Sequence, residues 1–321
     1  MILLEVHSQA VMDILINRFE TAKEDPELKV KLNYTVADFD CVTYHISDGG
    51  ERRRIFVSIF LRFFEELKKH GVEQFLRQEY GDLLSPQTEN GQSVTLSIDL
   101  DNLPDDHVQL ARKCALLKRN CIASVFFKFF DLQAKMDPKS HAERAVIHYR
   151  TDETLYIQAL HDRVTVIFST LFKDPDDMLI GKVFVQEFTE SRRRIDRAPQ
   201  VLYSFRVPPA ELQGTDAAVN DSVAYITFVL NPRHLAPGSV REKSLDLIHT
   251  LRNYLHYHIQ CSKAYIQMRM RAKTVDFLKI INRAHLEKSE HAVINVSPIG
   301  DILVKPVGSA EASVNRSSRV S

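Results

Sequence analysis

The chain has 321 residues, 44% of them hydrophobic and 26% charged, with 42 basic and 42 acidic side chains and a formal net charge of zero. That length suffices for two ordinary domains with sizeable cores, and the charge balance argues against a uniformly basic nucleic-acid binder, so any basic surface is local. Its ten glycines include neither GxGxxG nor GxxxxGK spacing, and Cys41, Cys114, Cys121 and Cys261 show no CxxC pair. Phosphate-cradling loops, zinc ribbons and redox motifs are thereby disfavoured, and free thiols fit a reducing compartment.

The N-terminal stretch MILLEVHSQAVMDILI is apolar but interrupted by Glu5, His7 and Asp13. No basic leader or cleavage site accompanies it, so neither a signal peptide nor a membrane span is expected. A short amphipathic helix is predicted over 9–20. Strand-like alternation follows in KVKLNYTVADFD and CVTYHIS, and Asp48-Gly49-Gly50 turns the chain into the strand RRRIFVSIFL. A helix is predicted from about Arg62 to Tyr80, then the strand SVTLSIDL closed by Pro104. A phenylalanine-rich helix follows from about Val108 to Met136, with Cys114 and Cys121 on one face as core.

After Asp137-Pro138 the period changes to two. RAVIHYR, TLYIQAL, DRVTVIFSTLF, KVFVQEF and QVLYSFR read as five strands, with turns at Asp174-Pro175-Asp176-Asp177 and around Arg192–Arg194. VAYITFVL is a sixth, ended by Asn231-Pro232. Each half thus has hairpin strands, a last strand closed by proline, and a long helix, which hints at an internal duplication. The predicted fold is α+β: two tandem α/β modules with mainly antiparallel sheets (1–138 and 139–238), one long C-terminal helix (239–285) and a flexible tail (286–321).

That last helix is the most informative element. Pro237-Gly238-Ser239 opens it, with Ser239 as N-cap and Glu242 as its capping-box partner. Helical periodicity holds to about Ala284, roughly 65–70 Å at ~1.5 Å per residue. One apolar stripe, Leu247, Leu251, Tyr254, His258, Cys261, Tyr265, Met268, Ala272 and Val275, has heptad spacing. A second, Ile248, Leu255, Ile259, Ile266, Met270, Phe277 and Ile281, follows an eleven-residue pattern. A helix half sunk in its own domain accounts for one stripe. Two stripes point to a partner helix on the other, because several bare aromatic and aliphatic side chains are a solubility liability. Arg269, Arg271, Lys273, Lys279 and Arg283 gather at its C-terminal end, farther back than the helix dipole reaches, and suit an acidic protein surface. The triplet Arg192, Arg193 and Arg194 reads as a solvated loop or a second protein contact.

Catalytic constellations are weak. Asp38-Phe39-Asp40-Cys41-Val42 fits the DxDx(T/V) pattern of haloacid-dehalogenase-type phosphatases, but the alternating LNYTVA before it is not the buried strand such a nucleophile needs. His256 and His258 are two apart and point away from each other on a helix, and His249 and His256 are two turns apart, so neither pair makes a metal site alone. His148 reads as a satisfied strand residue. No cofactor is expected.

The segments ADFD with YHIS, LKRNC, RAVIHYR, DETLY, DRVTVIFST, GKVFVQEF, APQVL, TDAAV, YITFVL with PRH, LIHTLRNYLHYHI, CSKAYI and RMRAKT carry a resemblance over roughly residues 1–285. The chain resembles the actin-related protein 2/3 complex subunit 2 family, the large core subunit of the assembly that nucleates branched actin filaments. The resemblance implies a non-catalytic scaffold in the cytoplasm at the actin cytoskeleton. Its partners would be the smaller core subunit (subunit 4), the two actin-related proteins, the remaining subunits and the side of an actin filament, with no nucleic acid. Leu247, Leu251, Tyr254, His258, Cys261, Tyr265 and Met268 would meet the partner helix. Arg192, Arg193, Arg194, Arg269, Arg271, Lys273, Lys279 and Arg283 would meet the filament. Cys41 stands where that family usually has glycine, and the tail from Leu286 matches nothing recognisable. The phosphatase on Asp38 and Asp40, and a stand-alone filament side-binder, are the alternatives.

Overall fold

The structure is a computed structural model that describes residues 4–25, 32–50, 53–137, 143–192 and 198–284. The chain divides into two units, Met1–Ser262 and Lys263–Ser321. Both sheets lie in the first. The flexible end expected over 286–321 and the arginines at 193 and 194 lie outside the described residues.

The first sheet is antiparallel in chain order: β1 (Asn33–Asp38), β2 (Val42–Ser47), β3 (Arg54–Phe60) and β4 (Val94–Asp99). Its alternation is real: Val42, Tyr44 and Ile46 on β2 and Ile55, Val57 and Ile59 on β3 are at most 1% exposed. The opposite face carries His45, Ser47, Ser58 and Thr95, with the Ser58 and Thr95 hydroxyls bonded at 2.8 Å and Glu89 accepting from Ser47 and His45. Helix α1 (Gln9–Glu24) packs beside α4 (His107–Ala115) and buries Val11, Leu15 and Phe19.

Two of the three helices predicted in this half are broken. Gly71, at φ +86°, separates α2 (Phe64–Lys68) from α3 (Val72–Tyr80), a left-handed conformation glycine adopts without a Cβ penalty. Leu116, at ψ 3°, separates α4 from α5 (Leu117–Lys135), and no glycine or proline marks that break.

The β1–β2 turn holds two non-glycine residues at positive φ, Asp40 at 66° and Cys41 at 57°. Asp40 tolerates the left-handed region and is held there by ion pairs described below. Cys41 is exposed and gains no such anchor, so glycine would suit the position better. Cys41→Gly is expected to raise the stability of the folded chain by about 0.5–1 kcal/mol, the relief of left-handed strain outweighing glycine's extra chain entropy. A urea midpoint unchanged or lowered by the substitution would remove strain at Cys41 as the explanation.

The second sheet has the order β5-β6-β7-β9-β8, all antiparallel, formed by β5 (Arg144–Ile147), β6 (Leu155–Ala159), β7 (Val164–Leu171), β8 (Gln200–Phe205) and β9 (Val223–Leu230). One expected strand is absent. KVFVQEF belongs to helix α6 (Pro175–Arg192), and the predicted turn at Asp174-Pro175-Asp176-Asp177 is that helix's start. Proline sits at the first helical position, two aspartates complement the dipole, and the Asp174 carboxylate accepts from the Asp176 N–H at 3.0 Å. The period-two reading of Val183 and Val185 fails because Ile180, Phe184 and Phe188, at helical steps of four, pack on the core. Gly181 lets α6 approach closely: a Cβ there would sit 2.9 Å from the Phe172 ring and 3.4 Å from Ile259.

Helix α5 packs on α2 and α3 of the first half and on β6 and β7 of the second. That central position explains why it is apolar nearly all round, with Leu117, Cys121, Val125, Phe126, Phe129 and Phe130 at most 2% exposed. One continuous core therefore runs from Val11 to Ile259.

After β9, Asn231 caps the short helix α7 (Pro232–Leu235) through a reciprocal pairing with His234. Helix α8 then runs from Ser239 to Ala284 without interruption. It does not start by the capping box expected at Ser239 and Glu242. Gly238, at φ +90°, precedes the first turn, its carbonyl accepts from the Glu242 N–H, and the Glu242 carboxylate pairs with Arg119 instead.

Candidate interaction surface

The first half of α8 is locked into the core. Leu245, Ile248, Leu255 and Ile259 are 0% exposed and Leu251 6%. Charges fix its register. Arg119 of α5 holds Asp246 at 2.8 Å and also Glu242. The Arg241 guanidinium lies 4.2 Å from the Phe127 ring centroid. Arg252 reaches Glu153 through Nε at 3.0 Å and Nη2 at 2.7 Å, a forked pair with both residues buried. The Tyr149 hydroxyl, at 3.2 Å, and the Leu171 N–H, at 3.3 Å, donate to the same carboxylate.

A second ion cluster joins the halves. Asp40, at the tip of the β1–β2 turn, accepts from Arg150 at 2.9 Å and faces Lys118 Nζ at 3.2 Å. Burial pushes the Asp40 carboxyl up, but Lys118 and Arg150 together outweigh it and hold it below the usual carboxylate range. Lys118 also donates to the Phe39 carbonyl at 2.8 Å. Burial, with Lys118 adding to it, drives the His249 imidazole down to about 3, and burial beside Arg252 lowers His256 to about 4, so both are neutral. His148 lies just past β5 and is exposed, its Nδ1 held by Glu66 at 2.8 Å. The DxDx(T/V) match thus stands on an edge strand of an antiparallel sheet, with Asp40 engaged structurally.

The residues expected on the partner-facing stripe separate along α8. Leu247 is 37% exposed, and Leu251 belongs to the chain's own core. Tyr254 and His258 are half-buried: the Tyr254 hydroxyl bonds the Leu4 backbone, and the His258 ring stacks on Phe184 with centroids 5.2 Å apart. Cys261, Tyr265 and Met268 are exposed.

The second unit, over 263–284, presents the other stripe most cleanly. At about 100° per residue, Ile266, Met270, Phe277 and Ile281 fall in a sector of about 60° whose one charged side chain over 263–284 is Lys263, at the start of the unit. They are 48%, 64%, 65% and 41% exposed. The sector holding Tyr265, Met268 and Val275 also carries Lys279 and Arg283, so charge interrupts it. Arg269, Lys273, Lys279 and Arg283 share one broad face, and Arg271 points away from it; all five are exposed. Lys279 lies 3.6 Å from Asp276. Arg192 ends α6, not a loop. Sequence reading missed that the eleven-residue stripe, which is core up to Ile259, continues as a bare face; its unbroken spacing was the available signal.

Comparison with known proteins is consistent over nearly the whole chain. The family model described as "Arp2/3 complex, 34 kD subunit p34-Arc" matches residues 57–288. The chain is 38% identical over 305 residues to the actin-related protein 2/3 complex subunit 2 of Schizosaccharomyces pombe, covering 88% of this chain and 94% of that one. It is 36% identical over 290 residues to the subunit of the same name from Dictyostelium discoideum, covering 89% and 94%.

Proposed function

The chain belongs to the p34-Arc family of Arp2/3 complex 34 kD subunits, and from that we propose that it is a non-catalytic scaffold of the complex, acting in the nucleation of branched actin filaments. The other subunits of the complex are then its partners, and the actin cytoskeleton its place of action. The observation that carries the reading is the apolar face of Ile266, Met270, Phe277 and Ile281. Each such side chain is worth about 1.5–3 kcal/mol when fully buried, and nothing in a monomer's interest keeps four of them bare on one sector. We assign this face to a helix of the smaller core subunit, subunit 4. Its spacing favours a nearly straight helix pair over a heptad coiled coil. Tyr265 and Met268 lie on the far side of the helix from it, at about 100° per residue, while Leu251 serves folding.

The basic face of Arg269, Lys273, Lys279 and Arg283 is assigned to the acidic side of an actin filament. Arg269→Glu with Lys273→Glu is expected to weaken binding of the assembled complex to filaments about tenfold at low salt, less at high salt. Arg271→Glu, on the opposite side, is expected to have a much smaller effect. Co-sedimentation checks this: equal loss in both variants would replace the face by nonspecific charge, and no loss in either would remove the contact.

A further inference from the structure

A cleft of about 170 Å³ opens where the N-terminal segment, the β1–β2 turn and α8 meet. Glu5, His7, Asp38, Phe39, Lys118 and Asn253 line it. At ~30 Å³ per water, it has room for a few waters or one long side chain.

Its buried polar atoms have one character. Asn253 is 7% exposed, and its Oδ1 has no hydrogen-bond partner. His7 is 9% exposed, and its Nδ1 makes no hydrogen bond, with the Glu5 carboxylate 3.8 Å away. The Gln9 amide donates to Asp13 at 2.7 Å, which turns its oxygen toward His7 Nε2 at 3.1 Å. His7 therefore donates from Nε2, and its Nδ1 faces Glu5. Lys118 brings the one buried cation, already engaged by the Phe39 carbonyl and Asp40, with Asp38 3.8 Å away. Glu5 and Asp38 add carboxylates at the mouth, and His249, lowered to about 3, contributes no positive charge. The unmet Asn253 oxygen and two acids call for a donor-rich cation. Leaving such acceptors unmet in a closed interface would carry a desolvation penalty. Phe39, 47% exposed on the turn fixed by Asp40 and Lys118, forms an apolar lip for a methylene stem.

We propose that this cleft is a second assembly contact, which receives one arginine or lysine side chain from a partner subunit. It rests on the reading of the chain as an assembly subunit, and its lining residues all belong to the first unit.

The test compares release of the chain from the reconstituted complex for the parent, Asn253→Leu, Glu5→Lys, and the triple variant Ile266→Asp, Met270→Asp, Phe277→Asp. Asn253→Leu is expected to weaken retention about tenfold or more, and Glu5→Lys about three- to tenfold, most at low salt. Glu5 is 56% exposed at its side chain, so its reversal leaves folding intact and decides the matter if Asn253→Leu does not fold. Tighter retention by Glu5→Lys means an anionic occupant and overturns the proposal. Should the triple variant drop out while both cleft variants hold like the parent, the cleft inference alone falls. Should the triple variant still assemble, the distal face falls as the seam and the cleft is judged by its own two variants; should the parent itself not enter the complex, the assembly reading falls and takes the cleft with it.

Discussion

A chain carrying Ile266→Asp, Met270→Asp and Phe277→Asp is expected to fold normally and fail to join the complex. The three side chains are 48%, 64% and 65% exposed, so the folded chain gives up little when they become polar. An interface that covers them loses about 1–2 kcal/mol of apolar burial at each position and must also desolvate three carboxylates. The sum exceeds about 6 kcal/mol, more than a ten-thousandfold loss of affinity. Co-expression with the remaining subunits and recovery of the complex through a tag on another member measures it. Undiminished recovery would remove this face as the partner seam. Tyr265→Asp with Met268→Asp, on the far side of the helix, should cost less. Leu251→Asp is no clean probe: at 6% exposure it would unfold the core before it reported on assembly.

Glu153→Ala is expected to lower the stability of the folded chain by about 3–5 kcal/mol, because it leaves the Arg252 guanidinium buried without a counter-charge. Both residues are under 10% exposed, and the Tyr149 hydroxyl and Leu171 N–H lose an acceptor as well. With a urea slope of ~3 kcal/mol per molar, the midpoint falls by roughly 1–1.7 M. Adding Arg252→Met should restore much of the loss, since an apolar side chain of similar length tolerates the site. A midpoint shift below about 0.3 M in the single variant would show that water reaches the pair and that it is no structural anchor.

The α+β class and all nine strands of the described residues were legible because alternation in segments such as VTYHIS and VAYITFVL directly reflects one buried face; one further strand was read where there is none. KVFVQEF was misread because valine and phenylalanine favour strands, and only contacts with Phe172 and the core reveal that the buried steps are four, not two. The breaks at Gly71 and Leu116 differ in kind: the first had a glycine to announce it, the second had nothing. On α8 both stripes were legible, but not where each passes from core to surface. That passage depends on how far the sheets and α6 extend beside the helix. Arg252 and Asn253, polar residues inside LRNYL, were the clue that this turn serves a buried network. Which carboxylate Arg252 would find, 99 residues earlier, is a matter of topology that no local pattern encodes.

Strand β9 lies between β7 and β8 although it is made after both. A growing chain therefore holds β7 with one open edge and β8 with no neighbour until residue 230 has left the ribosome. Glu153 waits longer, for Arg252, 99 residues downstream; at ~5–20 residues per second that is about 5–20 s of synthesis. The nascent chain thus exposes an unpaired sheet edge until residue 230 and an unmatched carboxylate until residue 252. A ribosome that stalls before Arg252 releases a product unable to close its own core. Synthesis of this subunit is thus committed late, by the same helix that carries its bare apolar face.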